Sequence, residues 1–312
     1  MQLVITGGSG YLAGRIAQFF IKRKGNPFSL VTLATSSKQL IENSLYKPID
    51  WDQAQSIKLL CEKADVIIHT AGFNLIESQN NPQASLRFSK HSTKLIVENI
   101  NPERQTKLFY ISTAHVYKSP LEGDLSESSQ ANNSHPYALS NLAGESEILK
   151  GIKEKGIQGL VLRLSNCFGY PVNSSCKGWG LVINEMCWDA VHKREIEIKD
   201  PRDSIRNFIP MQGFIDILDR LILENKKSYL NDIYNVGFYR AYTLTEMANI
   251  ISLRCKKLFG FMPEIHIKSN EYLGLELNYY SNFIKTSQVV SDRSFYSEID
   301  ETLLKLNESI KQ

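Results

Sequence analysis

Gly7, Gly10 and Ala13 carry the clearest chemistry in this sequence. Residues 6–13 read TGGSGYLA, between a predicted strand at 3–5 and a predicted helix at 12–24. Gly7 permits a tight turn, Gly10 lets the backbone approach a pyrophosphate, and Ala13 is small enough for the helix to pack on the strand. Tyr11 precedes and Leu12 opens the helix, whose N-terminus offers backbone N–H donors to an anion. A glycine triplet alone is a weak signal, but this one follows the first strand and opens a helix, the context of a dinucleotide site. The second predicted strand, 29–33, runs into LATSSK at 33–38. A site for NAD(H) ordinarily has a carboxylate here, on the ribose hydroxyls. None is present. Thr35, Ser36 and Lys38 instead offer hydroxyls and an ammonium suited to a 2′-phosphate. The expected cofactor is NADP(H), with NAD(H) as the alternative and a surface loop touching neither as the bland reading.

Holding such a loop requires a parallel sheet. Further apolar runs at 66–69, 107–112 and 160–164 read as strands, and amphipathic stretches at 53–63, 82–99 and 137–155 as helices. This βαβα rhythm predicts an α/β fold, a Rossmann-type doubly wound parallel sheet. The pattern loosens after Phe168. Residues 170–180 read as a loop, 182–191 as a helix, 195–199 as a short strand, 213–223 as a helix, 233–236 as a strand, 245–258 as a helix and 300–310 as a closing helix. The expected division is a dinucleotide-binding domain at 1–165 with return segments near 203–245. A smaller C-terminal substrate-binding lobe takes 166–202 and 246–312.

Composition excludes several classes. Lys and Arg number 36 against 33 Asp and Glu, a net charge of +3, which gives no case for a nucleic-acid partner. Cys61, Cys167, Cys176, Cys187 and Cys255 are spread without C-x-x-C spacing, so neither a metal site nor a disulfide framework is indicated. The chain opens on a strand with no charged leader before it, and no apolar run reaches the roughly 18 residues a membrane span needs. A cytoplasmic location with no membrane partner is expected.

The chain resembles the extended short-chain dehydrogenase/reductases, a family of nucleotide-sugar epimerases, dehydratases and 4-keto reductases. The carriers are TGGSGYLA at 6–13, Asp50-Trp51, VIIHTAG at 66–72, YISTAHVY at 110–117, HPYALSNLAGE at 135–145, LRLSNCFG at 162–169, IRNFI at 205–209 and YNVG at 234–237. Their order and spacing are specific. The resemblance implies that Asp50 and Trp51 lie beside the adenine and that Ala71 and Gly72 line the cofactor. It makes Thr113 the hydroxyl bonded to the substrate oxygen and Tyr137 the general acid/base. Asn166 and Arg206 hold the phosphates of a sugar nucleotide, a task suited to the planar guanidinium fork. The helices at 82–99 and 137–155 would form a homodimer interface, with Leu142, Ile148, Leu149 and Ile152 as its stripe or, equally, as the face packed on the sheet.

Two positions depart from the family pattern. The usual Tyr-x-x-x-Lys is Tyr137 followed by Asn141, which can bond the nicotinamide ribose but carries no charge to lower the tyrosine pKa. Ser89 stands where the family often has Asn. Lys118 is a candidate substitute cation, against a surface reading. His115 is a candidate substrate-binding or extra acid/base group, against a packed one, and His69 reads as core. Ala114 and His115 replace the Asp-Glu pair of the dehydratase branch. That leaves a nucleotide-sugar epimerase or 4-keto reductase, in surface polysaccharide or related sugar biosynthesis. A cofactor-binding regulator with weak or no catalysis and a reductase of a small non-sugar carbonyl stand beside it. If Lys38 holds a 2′-phosphate, Lys38→Ala weakens NADP(H) binding far more than NAD(H) binding in calorimetry. Equal losses would refute that role.

Overall fold

The computed structural model describes residues 1–35, 41–173, 176–199, 204–224, 232–267 and 276–310. In chain order the first half comprises β1 (Gln2–Thr6), α1 (Tyr11–Lys22), β2 (Leu30–Thr35), β3 (Leu45–Pro48), α2 (Ala54–Cys61), β4 (Val66–His69), α3 (Leu75–Asn80), α4 (Pro82–Asn99), β5 (Lys107–Thr113), β6 (Gly123–Leu125), α5 (Pro136–Lys155) and β7 (Gln158–Leu164). The second half comprises β8 (Asn166–Phe168), α6 (Val182–His192), β9 (Glu195–Ile198), β10 (Ile205–Pro210), α7 (Met211–Leu223), β11 (Asp232–Val236), β12 (Ala241–Thr243), α8 (Leu244–Phe259), β13 (Glu264–Ile267), β14 (Leu277–Tyr279) and α9 (Asp292–Ile310).

Seven strands form one parallel sheet in the order β11-β7-β5-β4-β1-β2-β3. Every residue of β4 is buried, as expected of a strand covered on both faces. Alternation along β1 feeds two cores. Leu3 and Ile5 join Ile16 and Phe20 of α1 on one face, while Val4 joins Ile57, Ile96 and Ile148 on the other. The first core continues without a break through Phe168, Phe208 and Phe214 to Phe295 and Ile299 of α9. Smaller sheets pair β8, β10 and β12, then β9 with β13, and β6 with β14.

The strand β3 has no clear sequence signal because it is a mostly exposed edge ending in Pro48, a position where proline is tolerated. The closing helix starts at Asp292, eight residues before the expected 300. Phe295 and Ile299 extend its buried stripe through Leu303, but the polar residues around them mask the period. On α5, Ile148 is buried and Ile152 packs beside it in the sheet-facing core, so those two belong to the fold, whereas Leu149 is exposed. Residues 177–180, expected as loop, form a single 3₁₀ turn. Among the described residues, no helix is long and apolar enough to cross a membrane.

One buried ion pair ties the two ends of the chain together. Arg15 on α1 donates to Glu298 on α9 at 2.8 Å and to the Tyr170 carbonyl at 2.9 Å. Glu298 also accepts from the Gln212 backbone at 2.8 Å. Removing one partner of such a pair leaves an uncompensated buried charge, so Arg15→Met should cost about 3–5 kcal/mol in urea unfolding. Arg15→Met with Glu298→Met should recover most of the loss; a double variant no more stable than the single would contradict this account.

Candidate functional site

The sheet order reverses between β1 and β4, the crevice where doubly wound sheets bind ligands. Gly7 lies there with φ of +68°, and a Cβ on it would come within 2.9 Å of the Ala71 nitrogen and Thr70 Oγ1. A Cβ at Gly8 would meet that of Leu33 at 2.8 Å. The Gly10 N–H donates to the Gly7 carbonyl at 2.7 Å, closing the turn. Gly10 is also the N-cap of α1, and no side chain caps that end. The result is a backbone cradle that side chains would fill, shaped for a phosphate group on a helix N-terminus. Ala13 is fully buried.

Of the remaining cofactor candidates, Thr35 and Ala71 adjoin this cradle. Thr35 Oγ1 donates to Ser9 Oγ at 3.0 Å, tying the end of β2 to the glycine loop. Ser36 and Lys38 lie outside the described residues. Asp50 is exposed, accepting from the Asp52 backbone at 3.0 Å and from Gln53 Nε2 at 2.7 Å. Trp51 is half-buried, its ring 5.8 Å from His69 and 5.7 Å from Phe88. Ala71 and Gly72 follow β4 beside Gly7. Tyr11 points away from the cradle: its hydroxyl donates to the Gly169 carbonyl at 2.8 Å. Leu12 packs against the core. What these two can offer an anion is therefore backbone only.

A second group gathers where β5 ends and α5 begins. The Tyr137 hydroxyl lies near the side chains of Thr113 and Asn141, both of which favour its ionised form. Burial raises the Tyr137 pKa above the ordinary phenol value, and those two neighbours lower it only in part. Among the described residues, no charged side chain contributes to its ionisation. Asn141 Nδ2 also donates to the Tyr137 carbonyl at 2.8 Å, one helical turn back. Lys118 is paired with Glu122 at 3.0 Å on a half-exposed surface. His69 is bonded between Thr6 Oγ1 at 2.6 Å and Thr93 Oγ1 at 3.2 Å, and burial pushes its pKa down to about 3. Ser89 is buried near the Tyr110 hydroxyl, which donates to the Asn141 carbonyl at 3.4 Å.

Glu145, two turns beyond Tyr137, holds this group in place. Ser112 donates to its Oε1 at 2.5 Å, and Arg163 of β7 grips it through Nε at 3.1 Å and Nη2 at 2.7 Å. Burial works against the Arg163 charge, but Glu145 more than offsets it and its pKa is raised. The guanidinium lies 4.8 Å from the Tyr117 ring, whose hydroxyl donates to Asn235 Oδ1 at 2.7 Å. At Gly144 any Cβ would collide with the Tyr110 hydroxyl, so α5 and β5 are in close register.

His115, Asn166 and Arg206 converge on the other side of Thr113. Thr113 Oγ1 accepts from the His115 backbone at 3.2 Å. Burial lowers the His115 pKa, the Asn166 side chain opposes that, and the Arg206 charge and nearby His135 reinforce it. Asn133 links the two histidines, donating to the His115 carbonyl at 2.7 Å and accepting from the His135 backbone at 2.9 Å. His135 caps α5, accepting from the Tyr137 N–H at 3.2 Å. Sequence reasoning missed Asn133, His135 and Glu145. Only His135 had a local signal, as a polar residue before Pro136 at a helix start. Among the described residues, no group of three or more His, Cys, Asp or Glu is placed to hold a metal ion.

The model of the NAD dependent epimerase/dehydratase family matches residues 3–237. A dTDP-D-glucose 4,6-dehydratase from Homo sapiens is 25% identical over 263 residues, covering 79% of this chain and 72% of that protein. A putative UDP-glucose 4-epimerase from Methanocaldococcus jannaschii is 25% identical over 270 residues, covering 84% of each. The fold is shared with the UDP-glucose 4-epimerase of Thermotoga maritima with UDP-glucose, at TM-score 0.80 and 16% identity over 99% of this chain and 100% of that one. It is shared too with RMD from Pseudomonas aeruginosa complexed with NADPH, at TM-score 0.76 and 18% identity over 99% and 98%.

An ammonium at position 141 would reach the phenol that Asn141 now touches. In Asn141→Lys, Tyr137 should titrate about one to three pH units lower than in the wild type, followed by NMR of ring-labelled tyrosine. An unchanged titration would show that position 141 does not set the charge of the phenol.

Proposed function

Because the chain belongs to the NAD dependent epimerase/dehydratase family, we propose that it is a nucleotide-sugar epimerase or 4-keto reductase working with a nicotinamide cofactor. The observation that carries this reading is the convergence of two groups. Thr113 and Asn141 lie near the Tyr137 hydroxyl, and Asn166 and Arg206 lie near the His115 ring. The Gly7–Gly10 cradle fits a dinucleotide pyrophosphate, and the bound nicotinamide would supply hydride chemistry. The chain's own part is to bind, orient and exchange protons. Arg206 and Asn166 hold the diphosphate of the sugar nucleotide, and Tyr137 gives its hydrogen bond to the sugar oxygen with Thr113 beside it. Ala114 offers no carboxylate for expelling water, which favours epimerisation or reduction over dehydration.

Lack of a carboxylate at 33–38 supports NADP(H) as the preferred cofactor. The exposed Leu86 of α4 and Leu139 and Leu149 of α5 support a homodimer through those helices. A cytoplasmic location, a role in surface polysaccharide or related sugar biosynthesis, and the division at residues 1–165 with 203–245 against 166–202 with 246–312 complete the reading. Asn141 favours one competing reading, a cofactor-holding protein with weak or no turnover.

Denatured protein should release a nicotinamide dinucleotide and a nucleotide sugar, identified by mass. In calorimetry, Arg206→Ala should weaken UDP- or dTDP-sugar binding by about tenfold to a hundredfold and leave cofactor affinity unchanged, as for loss of a charge-assisted phosphate contact. Binding of a cofactor but of neither nucleotide sugar would favour the competing reading.

A further inference from the structure

Four hydrogen bonds run from Thr113 to Tyr137 along a path separate from Glu145. Thr113 Oγ1 accepts from the His115 backbone N–H at 3.2 Å. The His115 carbonyl accepts from Asn133 Nδ2 at 2.7 Å. Asn133 Oδ1 accepts from the His135 backbone N–H at 2.9 Å. His135 Nδ1 accepts from the Tyr137 N–H at 3.2 Å, as the N-cap of α5. Pro136 opens that helix and has no N–H, so the Tyr137 N–H is its first donor. The first three acceptors are a hydroxyl, a carbonyl and a carboxamide, which keep their lone pairs at any ordinary pH. The fourth is an imidazole nitrogen. A backbone N–H can only donate, so Nδ1 bears a lone pair and the neutral ring carries its hydrogen on Nε2. Protonating Nδ1 removes the acceptor and sets two N–H groups against each other. It also puts a cation at a helix N-terminus, the positive end of the macrodipole. Ser, Thr and Asn, common residues at this place, accept through oxygens that do not titrate there.

We propose that His135 is a positioning residue for Tyr137: its neutral ring holds the first turn of α5 in register with Thr113, and protonation of Nδ1 releases it. The consequence for ligands rests on the nucleotide-sugar reading, in which the Tyr137 and Thr113 hydroxyls meet one sugar oxygen. The His135 residue is half-buried, so solvent protons reach it. An imidazole changes charge between about pH 5 and 8, so the hold is present at the upper end and lost toward the lower. Glu145 stays bound to Ser112 and Arg163, which confines the release to the start of the helix. The titratable groups at this corner besides His135 are His115 after β5 and Tyr137 itself, with Arg206 of β10 acting on the His115 ring. Burial lowers the His115 pKa and raises that of Tyr137, so both resist a change of charge in that range.

The test follows the Tyr137 amide by nitrogen-15 NMR across about pH 8 to pH 5 in wild type, His135→Asn and His135→Ala. In wild type the amide signal should move with the same midpoint as the His135 ring. Its protection from hydrogen exchange should fall by about threefold to tenfold, the worth of an N-cap. His135→Asn supplies an oxygen acceptor and should keep its protection across the range. His135→Ala should show the low protection already at the upper end. Calorimetry with UDP-glucose and dTDP-glucose should give the same order. Wild-type affinity should weaken by about threefold to tenfold between the two ends of the range, and that of His135→Asn by less than about twofold. A Tyr137 amide that ignores the His135 titration overturns the proposal. So does a wild-type affinity that does not change with pH. An equal pH response in His135→Asn also overturns it and assigns the response to another group, such as His115. If His135→Ala folds poorly, wild type against His135→Asn carries the test. A wild type that binds neither nucleotide sugar at the upper end overturns the nucleotide-sugar reading, while the NMR comparison still decides the role of His135.

Discussion

The site depends on one buried carboxylate. Glu145 sits between Ser112 at the end of β5 and Arg163 near the end of β7, and both anchors are main-sheet residues. A buried ion pair adds little net stability compared with a well-packed apolar pair, but breaking one is costly. What this one supplies is register. Ser112 precedes Thr113 directly, and Glu145 lies two turns along α5 from Tyr137. Fixing the carboxylate therefore fixes the meeting of the two hydroxyls. The Tyr110 hydroxyl against Gly144 sets how closely the helix approaches. A helix held only by apolar contacts would leave that approach to side-chain volume alone.

A parallel constraint governs the cofactor side. Arg15 on the glycine-loop helix, Glu298 on α9 and the backbone at Gly169 and Tyr170 form one buried cluster. Gly169 has φ of +140°, and any Cβ there would strike Glu298. Tyr11 reaches the same loop through the Gly169 carbonyl. The segment after β8 is thus bound to the start of α1, which explains why one apolar core runs from the dinucleotide loop to the last helix.

Electrostatically the site is set up with neutral donors. An ordinary phenol near pKa 10 is about one part in a thousand ionised at neutral pH, and burial moves Tyr137 further from ionisation. Asn141 orients it without adding charge. The His115 ring is likewise held neutral. Positive charge is placed at Arg206, near the His115 ring. Such a site presents neutral hydrogen-bonding groups instead of a ready phenolate.

The sequence by itself determined the glycine loop, the parallel sheet and the identity of Thr113, Tyr137, Asn141, Asn166 and Arg206 as the residues to watch. The loop is legible because its glycines, the preceding strand and the following helix are contiguous, and the strands because buried parallel strands are apolar along their length. Tertiary structure decided the rest. Glu145, Asn133 and His135 look like ordinary polar residues on or before a helix. Their meaning lies in partners distant in sequence, Arg163 and Ser112 for Glu145 and His115 for Asn133, with His135 joined to that link through Asn133. The early start of α9 was hidden for a related reason: Glu298 in its first half is buried only because Arg15, 283 residues distant, meets it. The side chains around an anchored charge are read locally as solvent-facing, and only the fold shows which of them have a partner that makes burial affordable.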